Sequence, residues 1–95
     1  RELESKTLFE PAGQSPLRVA EGKAELVLTL ISEILPVRGI ELAGPLPSEF
    51  QTYVAFEAGL AASTKNNDAG KALIQFMTTA GAAQVFKAKG MEVGK

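Results

Sequence analysis

The start of a short helix at Ser15 is the part of this sequence that could bind a small anion. Ser15 is a favourable N-cap, and Pro16 follows at the first helical position, where its missing N–H costs nothing. The free N–H groups and dipole of such a helix end favour a bound anion. Gly22 predicts the end of the helix, because glycine readily takes the left-handed conformation. The same stretch also fits an ordinary helix–strand unit of an α/β core that binds nothing.

Catalytic chemistry has little support in the residue types. The sequence contains no histidine and no cysteine, which excludes disulfides, thiolate chemistry and the usual zinc ligands, and leaves serine and threonine without their commonest base. Glu57 interrupts an apolar run and could be buried, but an exposed position on a half-buried strand is the better interpretation. We therefore predict no enzyme, no metal and no cofactor. The other acidic residues are spread along the chain, and we expect them at the solvated surface: Glu2, Glu4, Glu10, Glu21, Glu25, Glu33, Glu41, Glu49, Asp68 and Glu92.

Composition and charge set broad limits on the partners of this chain. Its 95 residues suit one small domain or part of a larger one, and 45% hydrophobic with 22% charged residues is ordinary for a globular protein. The net charge of −1, without a basic run, gives no reason to expect nucleic-acid binding. The longest apolar run, residues 26–31, is too short to cross a membrane, so no membrane insertion is expected.

Hydrophobic patterning predicts a mixed α/β chain in the order β-α-β-β-β-α-α. Two apolar runs predict the longer strands, at residues 26–30 and 53–61, and two short runs predict strands at 7–9 and 40–43. Helices are predicted at residues 16–21, 68–79 and 80–89, with Thr78 or Thr79 capping the last one and Gly90 ending it. The penultimate helix carries one apolar stripe. Its members are Ala69, Ala72, Leu73, Phe76 and Met77.

Several stretches resemble the molybdate-type periplasmic substrate-binding proteins of ABC transporters. Residues 19–26, VAEGKAEL, resemble the family pattern V-A-x-G-E-A-E-L, and residues 31–47, ISEILPVRGIELAGPLP, resemble I-S-E-I-L-P-V-x-G-V-E-L-x-G-P-L-P. Residues 63–77 and 82–90 resemble the closing helical segments of the same family. The resemblance extends over most of the chain.

The resemblance implies the C-terminal portion of a type II periplasmic-binding-protein fold, which has two α/β lobes around a cleft. In this interpretation the 95 residues are a single fragment that lacks the first lobe and its serine-bearing anion loop. Residues 1–51 would form part of lobe 2, and residues 52–95 the return strand and the C-terminal helices. The implied function is solute binding in an ABC transport system, in the periplasm and with a transporter permease as partner.

The resemblance also implies where a small anion, such as an oxyanion, would bind. One family contact is a backbone N–H at the helix start, which corresponds to Ser15 with Gln14 beside it. Another is a tyrosine on the following strand, whose position is held here by Thr29. Threonine keeps the hydroxyl but reaches less far, and the helix is shorter than in molybdate binders. These departures bear on whether molybdate itself is the ligand.

Two further interpretations come from other functional classes. The same type II fold serves as the effector-binding domain of transcriptional regulators, which would carry a helix-turn-helix upstream. A third possibility is a fragment that associates with itself and has no ligand. The apolar stripe of the penultimate helix and the apolar face of the last helix favour a homo-oligomer, because large exposed apolar patches usually find a partner. The alternative is that the two helices fold back on the strands of the same chain and close a compact core. The residues of the two faces are Ala69, Leu73, Phe76 and Met77, with Val85 and Phe86.

Overall fold

Short helices joined by irregular segments make up the chain in a computed structural model that describes residues 2–94. Arg1 and Lys95, the ends of the predicted single fragment, lie outside the described residues. The α-helices are α1 (Ser15–Ala20), α2 (Ile31–Ile34), α3 (Asn67–Met77) and α4 (Ala80–Ala88). Two 3₁₀ turns lie at Glu4–Lys6 and Ser48–Phe50. No helix among these is long and apolar enough to cross a membrane.

The two C-terminal helices confirm the prediction made from apolar periodicity. Each begins and ends within two residues of the predicted bounds. The Thr79 hydroxyl accepts a hydrogen bond from the Ala82 N–H at 3.3 Å, so Thr79 is the N-cap of α4. Gly90 ends the helix with φ of 84°, and the Met91 N–H donates to the Phe86 carbonyl at 2.9 Å. This hydrogen bond across the end of the helix requires a residue in the left-handed conformation, which explains the glycine at position 90.

Helix α1 corrects one prediction and confirms another. Ser15 is not the N-cap, because the helix begins at Ser15 itself and Gln14 precedes it with φ −96° and ψ −20°. Gln14 already belongs to a turn, since its N–H donates to the Pro11 carbonyl at 3.1 Å, and side-chain capping needs an extended residue at this position. Gly22, at φ 76°, ends the helix as predicted.

The predicted strands, at residues 7–9, 26–30, 40–43 and 53–61, have no counterpart between residues 2 and 94, where no strand is assigned. A strand is defined by a hydrogen-bonded ladder to a neighbour. Across the described part of the chain, the backbone of residues 53–60 makes no hydrogen bond to other backbone groups outside helices. An apolar run predicts the burial of a strand but does not supply its partner. The assignment to a two-lobed α/β fold stays a prediction.

The chain divides into two units, the N-terminal unit Arg1–Gly44 and the C-terminal unit Pro45–Lys95. Each has a very small interior. Among the described residues, Pro16 is buried in the first unit and Ala82 in the second, while the other side chains are half-buried or exposed. The predicted division into residues 1–51 and 52–95 concerns lobes of the larger fold and stays a prediction.

Candidate functional site

The predicted anion contacts Gln14 and Ser15 lie at the start of α1. Gln14 is exposed and Ser15 is half-buried. The next residue, Pro16, is fully buried, and its fixed φ suits the first turn of a helix. The buried Pro16 therefore holds Gln14 and Ser15 at the start of α1.

Arg18 lies one turn further along α1 and forms the best-defined polar cluster of the N-terminal unit. Its Nε donates to Glu10 Oε1 at 2.9 Å and its Nη2 to Glu10 Oε2 at 3.2 Å, while Nη1 donates to Glu21 Oε2 at 2.9 Å. Lys23 Nζ also lies 3.2 Å from Glu21 Oε2. Ser15 and Arg18 are three residues apart, a spacing that places two side chains on one face of a helix.

The sequence analysis missed this cluster. The spacing of three between Arg18 and Glu21 is a recognisable helical ion pair and could have indicated half of it. Glu10 is eight residues from Arg18 and reaches it only because the chain turns between Pro11 and Gln14. No local rule predicts that second contact.

Charge pairing fixes the ionisation of the cluster. The hydrogen bond from Arg18, followed by that from Lys23, holds the pKa of Glu21 below its usual value of 4.5. The hydrogen bonds to Glu10 and Glu21 raise the pKa of Arg18 above its already high usual value. Both groups are therefore charged at neutral pH, and the carboxylate of Glu21 is a weak base.

Thr29, the third predicted contact, lies directly before α2 and already has a partner. Its Oγ1 donates to Glu33 Oε2 at 2.5 Å, so its hydroxyl hydrogen is used and a carboxylate stands beside it. An anion at Thr29 would have to displace Glu33 or bind next to its negative charge. No hydrogen bond of the described residues joins Thr29 to Gln14 or Ser15, and the grouping of the three stays a prediction.

A groove of about 340 Å³ lies within the N-terminal unit. This volume is in the range of small-molecule sites. Its ionisable lining residues are the carboxylates Glu25 and Glu41, so the groove itself carries no cation that could neutralise an anion. Its remaining lining is mostly apolar: Val19, Leu26, Val27, Leu28, Ile34, Gly39, Ile40, Leu42, Ala43 and Gly44.

Metal binding finds no support in residues 2–94, which contain no cluster of three or more His, Cys, Asp or Glu side chains able to hold an ion. In the described part of the N-terminal unit, the Arg18 guanidinium and the Lys23 ammonium are cations that pair with carboxylates. Arg18 already holds Glu10 and Glu21 through its Nε, Nη1 and Nη2 atoms, so a small anion would reach the guanidinium only by displacing one of these carboxylates.

Comparison with known proteins assigns the chain to a family. Residues 1–92 match the family described as bacterial extracellular solute-binding protein. One similar protein is the aconitate isomerase of a Pseudomonas species, 28% identical over 88 residues, which are 93% of this chain and 34% of that protein. The chain thus spans about a third of the length of this relative, and no solved structure matches it. The match over nearly its whole length shows that the chain belongs to the bacterial extracellular solute-binding protein family.

Proposed function

We propose that this chain is part of the solute-binding component of an ABC transport system and binds a small anionic solute. The observation that carries solute binding is the family match over residues 1–92. A family of extracellular proteins indicates an exported protein and disfavours an effector-binding domain of a cytoplasmic regulator. The periplasmic location, the permease partner and the oxyanion-like ligand are the finer parts of the proposal and are supported by the resemblance of residues 19–47 to molybdate-type proteins.

Arg18 supports the anionic character of the solute. Its guanidinium already holds one carboxylate through two hydrogen bonds and a second through one. A planar guanidinium recognises carboxylates and tetrahedral oxyanions through such paired bonds. In our proposal the solute displaces Glu21, the more exposed of the two carboxylates, and takes over its place on Arg18.

Ser15 and Gln14 complete the proposed contact. Ser15 stands three residues and Gln14 four residues before Arg18, so both can approach an anion on that side of α1. They would supply hydroxyl and amide donors. Thr29 remains a proposed further contact if Glu33 releases its hydroxyl.

The similarity to an aconitate isomerase also suggests that the solute is a carboxylate. Aconitate is a carboxylate anion at neutral pH, and an arginine that donates hydrogen bonds to glutamate side chains would bind such a solute by the same chemistry. Molybdate, a tetrahedral oxyanion, is the ligand class suggested by the resemblance. The two compounds are therefore the first probes to compare.

Titration of the chain with aconitate, molybdate and sulfate, followed by backbone amide NMR shifts, tests this proposal. We expect shifts at Ser15 and Arg18 that saturate with one of the anions. Arg18→Gln should weaken binding at least tenfold, whereas the matched Arg38→Gln, in an exposed turn of the same unit, should leave it unchanged. Equal loss in both variants, or the same shifts with sodium chloride, would reduce the effect to general charge and contradict the proposal.

Isomerase activity is a second candidate, suggested by the similarity to an aconitate isomerase. An isomerisation that moves a proton needs a base of matched pKa. The sequence contains no histidine, the commonest base for such a step, and this favours binding without turnover. Incubating the chain with one aconitate isomer and measuring the other by chromatography decides the matter, since formation above the protein-free rate would establish an enzyme.

A further inference from the structure

The two carboxylates on Arg18 are held by different parts of its guanidinium. Glu10 accepts with both of its oxygens, from Nε at 2.9 Å and from Nη2 at 3.2 Å. Glu21 accepts a single hydrogen bond, from Nη1 to Oε2 at 2.9 Å. The side chain of Glu10 is 19% exposed, whereas that of Glu21 is 46% exposed. Because a paired contact with restricted solvent access is the stronger kind, Glu10 is the more firmly bound of the two carboxylates.

The far end of the guanidinium is only partly used by Glu21. An arginine side chain carries five N–H donors in a fixed fork, two of them on each of Nη1 and Nη2. Within residues 2–94, Glu10 uses one donor of Nη2 and Glu21 one donor of Nη1. Once Glu21 has left, an anion with two oxygens on one atom can accept from Nη1 and Nη2 together. Such an anion makes two hydrogen bonds where Glu21 makes one.

Lys23 is placed to receive the Glu21 carboxylate. Its Nζ lies 3.2 Å from Glu21 Oε2, the same oxygen that accepts from Arg18 Nη1. The backbone at both residues is fixed, since the Glu21 N–H donates to the Leu17 carbonyl at 2.9 Å and the Lys23 N–H to the Arg18 carbonyl at 2.8 Å. Exchange of the carboxylate therefore needs only a side-chain rotation. The displaced carboxylate keeps a cation beside it, so the exchange leaves no charge unpaired.

We propose that Glu21 is a built-in competitor, which a bound anion moves from Arg18 to Lys23. Glu10 is the positioning residue of this exchange. The turn from Pro11 to Gln14 brings Glu10 alongside α1, and its two hydrogen bonds hold a long side chain that would otherwise sample many rotamers. The inference rests on the proposed function and adds a distinct role for each neighbour of the arginine. The anions selected are carboxylates and tetrahedral oxyanions, which present two oxygens on one atom.

This exchange and general electrostatics predict different signs for the same substitutions. By general attraction, removing any nearby negative charge strengthens the binding of an anion to Arg18. In the exchange, Glu21→Gln strengthens binding because the competitor is lost, whereas Glu10→Gln weakens it because the guanidinium loses its orientation. Lys23→Gln weakens binding only through Glu21, which then stays on the arginine. Its effect should therefore vanish in the Glu21→Gln background, a coupling that a double-mutant cycle measures.

Titration of the 95-residue chain with aconitate and with molybdate, followed by the NMR signal of the Arg18 Nε–H group, tests the exchange. We expect Glu21→Gln to lower the dissociation constant about threefold and Glu10→Gln to raise it about threefold, the size of effect typical of an exposed ion pair. The matched Glu4→Gln removes an exposed carboxylate of the same unit outside the cluster and should change little. The same sign for Glu10→Gln and Glu21→Gln, or an effect of Lys23→Gln that persists without Glu21, overturns the proposal.

A measurement on the free chain separates this inference from the proposed function. Without solute, the Arg18 Nε–H signal should shift and broaden in Glu10→Gln and stay in place in Glu21→Gln. Equal or reversed changes overturn the role of Glu10 whether or not an anion binds. If an anion binds at Arg18 but both variants act in the same direction, the proposed function stands and the exchange fails. If no anion binds there, both fail. The Lys23 amide signal, at the end of α1, shows whether each variant keeps the helix.

Discussion

Helix α1 and the α3–α4 hairpin end in the same way but are held in place differently. In α1, Gly22 at φ 76° lets the Lys23 N–H donate to the Arg18 carbonyl at 2.8 Å, and Gly90 serves α4 in the same manner. The side of α1 is then fastened by ion pairs of Arg18 with Glu10 and Glu21. The hairpin is fastened by apolar contact over Ala82. The stability that the ion pairs give α1 should depend on pH, whereas the stability of the hairpin should depend on the volume of its apolar side chains.

The largest effect is expected from breaking the apolar fastening with Ala82→Asp. Ala82 is the one described side chain of the C-terminal unit that is buried, and a larger charged group there has no partner. Burying an uncompensated polar group costs roughly 2–7 kcal/mol, a large share of the stability of a small domain. We expect the hairpin to lose its helical circular dichroism at 25 °C.

Ala80→Asp is the matched control for that substitution. Ala80 is exposed at the first position of α4, where a negative charge interacts favourably with the helix dipole. We expect unchanged or slightly higher helicity. If both variants lose the same helical signal, the loss reflects aspartate in α4 in general and the role assigned to Ala82 is wrong.

The shared helix ends give the next effect. Gly90→Ala and Gly22→Ala place a Cβ on a left-handed residue, which costs about 1–2 kcal/mol. We expect both variants to lower the free energy of unfolding measured with urea, and Asn at either site to cost less than Ala. If only one of the two variants clearly loses free energy of unfolding, the two helix ends are not equivalent. That result would contradict the statement that α1 and α4 end in the same way.

These caps show what local sequence can predict. The bounds of α3 and α4, the Thr79 cap and the glycines at 22 and 90 are confirmed, because each depends on residues within one or two helical turns. The solute-binding family was expected from the resemblance of several stretches spread over most of the chain, and the match over residues 1–92 confirms it at that level. Helical structure carries its own hydrogen bonds, so it needs no distant partner to be recognised.

Non-local contacts account for what the sequence did not reveal. The apolar runs at 26–30 and 53–61 fit strands, yet no ladder partner is present among residues 2–94. The bond from Thr29 to Glu33 was missed because Thr29 was placed in a strand, where the spacing of four would not bring the two together. The prediction of Ser15 as the N-cap was wrong because the turn that begins at Pro11 leads directly into the helix, which therefore starts at Ser15 itself.

A smaller effect should come from Gly70→Ala, which sharpens the account of α3. Alanine in a helix interior is more favourable than glycine by roughly 0.5–1 kcal/mol, but the new Cβ displaces Leu60. We expect little net change in the wild-type background and a gain close to the full amount in a Leu60→Ala background, both measured by urea unfolding. An equal gain in the two backgrounds would mean that Leu60 does not pack on this helix.

The smallest effect concerns the charged fastening of α1 and has a definite sign. Because Arg18 and Lys23 lower the folded-state pKa of Glu21, ionised Glu21 stabilises α1 above its usual pKa of 4.5. That contribution is lost as the pH falls through the lowered value, when the carboxylate takes up a proton. Arg18 stays charged throughout this range, because its own pKa is raised. An NMR titration of the Glu21 carboxyl carbon should therefore show a midpoint below 4.5 that moves up in Arg18→Gln. The matched Arg38→Gln should not move it, and a midpoint indifferent to Arg18 would mean that these exposed ion pairs do not persist in solution.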